Sequence, residues 1–142
     1  MPAETTSTGH VERSPPSSGR GLFHLPPRAQ AARMGRQSVR RILAGTPKES
    51  LERAELLVSE LVTNSVTHGA LAAEQSVDLR VTHRPGLVRV EVVDPGAHFD
   101  PGQPPSPGGE SRWGLYLLNA MADRWGMERL EHGKSVWFEI DL

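Results

Sequence analysis

Cysteine is absent from this 142-residue chain. That removes disulfide frameworks, thiolate zinc sites and cysteine nucleophiles, and it fits a reducing cytosol. An excess of one charge is also missing, since 16 Lys+Arg nearly cancel 17 Asp+Glu to leave a net charge of −1. A protein held to nucleic acid through phosphate contacts carries a basic excess or stripe, so no direct nucleic-acid partner is expected. No run approaches the ~18–20 apolar residues of a membrane span. The first residues lack the basic segment and apolar core of a secretion signal. The expectation is a cytoplasmic domain with no membrane partner. A Walker-type Gly-Lys-Ser/Thr loop is missing too, so any nucleotide site here is of another kind. What remains is one domain's length, with 37% hydrophobic residues for a core and 12 Pro and 14 Gly for loops.

Residues 1–21 are rich in Ser, Thr, Pro and Gly and read as a disordered N-terminal tail, because they offer too little apolar surface to offset ordering entropy. Residues 22–142 form the domain. Leu22–Leu25 reads as a short strand closed by Pro26-Pro27. From Arg28 to Ala44 the apolar Ala31, Met34, Val39, Ile42 and Leu43 recur at helical spacing, with arginines on the polar side. Gly45-Thr46-Pro47 stops that helix, and a second is expected from an N-cap at Ser50 to His68, ended by Gly69. Ser76–Thr82 and Leu87–Asp94 alternate apolar and polar residues around an Arg84-Pro85-Gly86 turn. A long Pro/Gly-rich loop, Pro95–Trp113, precedes a helix from Gly114, then strands near Gly126–Leu130 and Ser135–Leu142. The order predicts an α+β two-layer sandwich, a mixed, mainly antiparallel sheet covered by three helices.

Three constellations carry chemistry. Glu60, Asn64 and His68 are spaced by four, which lines a carboxylate, an amide and an imidazole along one helix face. They stand in a run, Thr63 to His68, of weak helix formers costing up to ~0.7 kcal/mol each relative to Ala. An ordinary helix end with solvated polar residues shows the same pattern. Val92-Val93-Asp94-Pro95-Gly96 places a carboxylate at a strand end, where it can accept from an amino group of a planar ligand such as adenine; Asp-Pro-Gly is also a common turn. Gly108-Gly109-Glu110-Ser111-Arg112-Trp113-Gly114-Leu115 runs into a helix start, whose free N–H groups and dipole suit phosphate oxygens.

In this order the segments resemble the GHKL ATPase/kinase superfamily, most closely the small anti-sigma-factor serine kinases of bacterial partner-switching systems. Glu60-Leu-Val-Thr-Asn64-Ser-Val-Thr-His68-Gly69 resembles the N box, Asp94-Pro95-Gly96 the G1 box, and Trp113-Gly114-Leu115-Tyr116-Leu117-Leu118 the G2 region. Ala122-Asp123-Arg124-Trp125-Gly126 resembles the sequence that follows it, and Gly133-Lys134-Ser135-Val136-Trp137-Phe138 the last box.

The resemblance implies a Bergerat-type fold that binds ATP with Mg²⁺. Asn64 would be the magnesium ligand and Glu60 the general base. Asp94 would bind the adenine amino group, Gly96 would let the chain pass the base, and Ser135 would reach the same region through its hydroxyl or a water. Gly108, Gly109, Arg112, Gly114 and Leu115 would border the phosphates, with His68 near that end. The partners implied are a sigma factor, an anti-anti-sigma protein phosphorylated on serine, or both, with a homodimer as a further expectation. His98 and Arg112 stand where the superfamily has glycine, which opens a second reading: a nucleotide-binding interaction module without phosphoryl transfer. A sensor histidine kinase domain fits less well, because no helical hairpin with an acceptor histidine precedes the domain. His68, His83 and His98 lack metal-ligand spacing.

Overall fold

Alternation in the strands and four-residue spacing in the helices sort the apolar side chains onto two surfaces that meet. The computed structural model describes residues 18–96 and 111–142. Its elements are β1 (Gly19–Leu25), α1 (Ala31–Ile42), α2 (Lys48–His68), β2 (Val77–Arg84), β3 (Leu87–Asp94), α3 (Ser111–Met121), β4 (Arg124–Arg129) and β5 (Lys134–Asp141). The strands form one sheet in the order β1-β2-β3-β5-β4. Every pairing is antiparallel, so the sheet is purely antiparallel where the sequence allowed a mixed one. Helices cover one face, which makes the two-layer α+β sandwich expected.

The core lies between those layers. Val81 stands opposite Val90 and Val90 opposite Phe138, all three fully buried. Against them α2 sets Ala54, Leu57, Val58, Leu61 and Val62. The buried stripe of α1 is Ala31, Gly35 and Val39. Gly35 fits because a Cβ there would lie 3.0 Å from Val58 Cγ1, so a larger residue would push the two helices apart. Met34, placed by spacing on the core side, is 39% exposed, because Gly35 and not Met34 occupies the contact line.

Other boundaries also shift. β1 begins at Gly19 rather than Leu22, since pairing with β2 extends to His83. Ser50 is not an N-cap: α2 starts at Lys48 after Pro47, and Ser50 is buried in the first turn. Proline suits that boundary because it brings a preset φ and no N–H to satisfy. The arginines of α1 divide. Arg36 donates to Ser59 at 2.8 Å and Arg40 makes a two-pronged contact with Glu55, both on α2. Arg33 and Arg41 stay exposed. The β2–β3 hairpin turns on Pro85 and Gly86, whose φ of 79° is the left-handed geometry that glycine takes without a Cβ clash. Among the described residues no helix is long and apolar enough to cross a membrane.

Candidate functional site

The last buried position on the helix-covered face of β3 is a carboxylate. Alternation along β3 buries Val88, Val90, Val92 and then Asp94, which is 1% exposed. Removing a carboxylate from water costs several kcal/mol unless its lone pairs are met. Asp94 Oδ1 accepts the Gly96 N–H at 3.0 Å, but Oδ2 has no partner. A buried acceptor left open in this way matches a ligand that donates a hydrogen.

Glycines make room around it. A Cβ on Gly69, at the end of α2, would fall 2.7 Å from Asp94 Oδ2 and 2.3 Å from the Ser65 carbonyl. Gly69 therefore does more than stop the helix; its φ of −75° is not left-handed, and the positive φ falls on Ala70 at 49°. A Cβ on Gly96 would lie 2.6 Å from the Gly69 carbonyl. Gly96 is thus required by packing against the end of α2. Gly133, in the β4–β5 turn with φ of 98°, presses on the Asp94 backbone so closely that an added Cβ would overlap its carbonyl. Gly69 and Gly133 were legible in the sequence as turn glycines and as ends of motif segments; the aspartate they enclose reaches them through tertiary packing.

Asn64 lies half-buried on α2, five residues before Gly69, and meets α3: a Cβ on Gly114 would sit 2.9 Å from Asn64 Nδ2. Glu60 lies one turn earlier, half-buried on the same helix face. Helix α3 begins at Ser111, three residues before the expected start, so the N–H groups that lack intrahelical acceptors end at residue 113 and Gly114 stands just behind them, at the close of the first turn. His68 is the exposed last residue of α2. Leu115 packs against the core rather than standing free. Gly108, Gly109 and His98 lie outside the described residues, as does the side chain of Arg112.

Ser135 is not brought to Asp94. It pairs with Val93, one residue off the aspartate, so its side chain projects from the opposite face. There its hydroxyl donates to Glu91 Oε1 at 2.6 Å. The residue of β5 that shares a face with Asp94, and stands directly opposite it, is Lys134. Among the described residues no group of three or more His, Asp or Glu side chains could hold a metal ion by itself. An amide such as Asn64 suits magnesium that keeps its other ligands from phosphate and water.

Residues 25–140 match the family model of the histidine kinase-like ATPase domain. The chain belongs to that family. Membership agrees with the motifs running from Glu60 to Phe138, the segment that holds Asp94 and the Asn64–Gly114 contact. No curated protein sequence matches this histidine kinase-like ATPase domain. Among 11 matching chains of solved structures is the crystal structure of the RsbU and RsbW domains of Rv1364c from Mycobacterium tuberculosis. It aligns with a TM-score of 0.68 at 22% identity over 85% of this chain, which shows a shared fold. The aligned part spans 31% of that longer chain.

Proposed function

We propose that this domain binds Mg-ATP between the end of α2, the end of β3 and the start of α3, and that it serves in the cytoplasm as an anti-sigma-type regulator phosphorylating an anti-anti-sigma partner on serine. The observation that carries the reading is Asp94, buried with Oδ2 open inside a glycine cradle. An adenine amino group is a donor of the right kind for that oxygen.

When bound, Mg-ATP supplies the phosphoryl group and the charge neutralisation that transfer requires. The residues of this chain would hold and orient. Asp94 accepts the amino hydrogen and sets the purine edge. Asn64 offers an amide oxygen to the metal, and the first turn of α3, which Gly114 closes, presents N–H groups to phosphate oxygens. Glu60, a turn before Asn64, would take the proton of a partner's serine hydroxyl. Ser135 has no part in holding the base, because its hydroxyl is engaged by Glu91.

Mg-ATP titration of the wild type, Asp94→Asn and Asn64→Ala tests the site. The amide in Asp94→Asn keeps the volume but points a donor or a weaker acceptor at the base, so affinity falls at least tenfold, the equivalent of ~1.4 kcal/mol. Asn64→Ala weakens binding in magnesium and much less in EDTA. Equal binding by all three, or none by any, defeats the site. Labelled ATP with an anti-anti-sigma protein then separates a kinase, which transfers label in a Glu60-dependent way, from a module that holds nucleotide without transfer, the reading His98 and Arg112 favour.

A further inference from the structure

The sheet face turned away from the helices carries a charge pattern that nucleotide binding leaves unused. Strand register sets its outward residues in rows. One row runs Arg20, Thr82, Arg89, Glu139, Arg124 across all five strands. In the next, beside the β2–β3 turn, Arg84 faces Leu87 and Leu87 faces Asp141. These two rows hold four arginines against two carboxylates, and Arg124 engages both of the latter, Glu139 at 2.9 Å and Asp141 at 3.1 Å. Arg89 reaches the already shared Glu139 at 3.4 Å. Among the described residues Arg20 and Arg84 have no carboxylate partner and the Thr82 hydroxyl no hydrogen bond.

Thr82, Arg84, Leu87, Arg89 and Glu139 line a shallow pocket of about 70 Å³ at this place. Beside it the Arg89 guanidinium lies 4.3 Å from the Trp137 ring centroid. Toward the other end of the strands the sign reverses: Asp78, Glu91 and Glu128 stand with Arg80 as the one arginine of their two rows. The basic end is local in a chain of net charge −1. It also lies toward the opposite end of β3 from Asp94, about 17 Å away at Arg89 and about 24 Å at Leu87 by strand rise, and on the opposite face.

We propose that this pocket is a docking point for an acidic segment of a partner protein, on a surface separate from the nucleotide site. A carboxylate enters between Arg84 and Arg89, accepts from their guanidiniums and from the Thr82 hydroxyl, and the aliphatic part of its side chain lies on Leu87. Guanidinium–carboxylate pairs of this kind are directional and stronger than neutral hydrogen bonds. The reversal of charge along the face selects an extended segment, acidic at one end and basic at the other, over a free anion that would meet the arginines alone. Because the two sites share neither face nor strand end, the segment binds with nucleotide present or absent.

The test is an NMR titration of the isotope-labelled full chain with an extended peptide of three glutamates followed by three lysines at low ionic strength, where charge pairing is least screened. Inorganic phosphate is the parallel arm. The expected result is saturable shifts in β2, β3 and the Trp137 indole N–H, the latter because Arg89 leaves the ring for the ligand. Arg84→Glu, an exposed change beside a turn, weakens the peptide about tenfold. Arg33→Glu, the same charge change on exposed α1, leaves affinity where it was. Equal losses in the two variants, shifts scattered away from β2 and β3, or phosphate binding as tightly as the peptide overturns the proposal. Mg-ATP affinity, unaltered in Arg84→Glu, keeps this outcome apart from that of the nucleotide reading.

Discussion

Asp94 combines two features that rarely coexist: near-complete burial and an oxygen with nothing to accept. Such a group weakens the ligand-free fold and strengthens the liganded one, which is how a site comes to be placed at the end of a core strand. The glycines that enclose it are constrained accordingly. Gly133 needs a left-handed φ and has no space for a side chain beside the Asp94 carbonyl, so Gly133→Ala is expected to lose ~1–3 kcal/mol of stability, measured by urea unfolding, together with nucleotide affinity. Gly86, at φ of 79° with open space around it, loses less when changed to alanine. That Asp94 ends a strand and Asn64 stands on a helix was legible in the sequence, because each ends or follows a clear periodic run. The place of Ser135 on the face opposite Asp94 was not legible, because a one-residue step along a strand reverses the face, and register is set by partners distant in sequence.

At the scale of elements, α3 is tied to α2 at both ends. Asn64 meets Gly114 near one end. At the other, Arg53 donates through Nε at 2.8 Å, and through Nη2, to the Met121 carbonyl, closing the C-terminal turn of α3 with a cation where the dipole favours one. Arg53→Met keeps the stem and loses those bonds, with an expected cost of ~1.5–3 kcal/mol. Hydrogen exchange should quicken in α3 before it does in β2 or β3. The edge strand β4 is held by side chains as well as by its ladder. Arg124 bridges to Glu139 and Asp141 on β5, and its hydrogen bond holds the Asp141 carboxyl below the usual 3.8. A lowered carboxyl pKa gives stability that is present above the unfolded value and lost as pH falls through the folded one. The Asp141 titration followed by NMR should therefore have its midpoint below 3.8 and return to the usual range in Arg124→Gln. The stability at stake is small, since both side chains are about half exposed.

For the whole molecule, the proposed nucleotide site would link ligand binding to folding through Asp94. Mg-ATP at 100 times its dissociation constant should add ~2.7 kcal/mol to the stability of the wild type. The thermal midpoint then rises by several degrees in the wild type and by about half of that or less in Asp94→Asn at the same nucleotide concentration, since a tenfold weaker site gains at most ~1.4 kcal/mol; an equal rise in the variant would separate stabilisation from this carboxylate. Local pattern alone determined the sequence of strands and helices and the helix-covered core, because period and turn chemistry act between near neighbours; the N-box and G1 residues pointed to the family by resemblance. Tertiary structure decided the rest: that Gly35 rather than Met34 faces α2, that Lys134 rather than Ser135 shares a face with Asp94, and that arginines far apart in the chain line up across one sheet. Those outcomes depend on register and on how closely backbones approach, which are settled by packing between segments far apart in sequence.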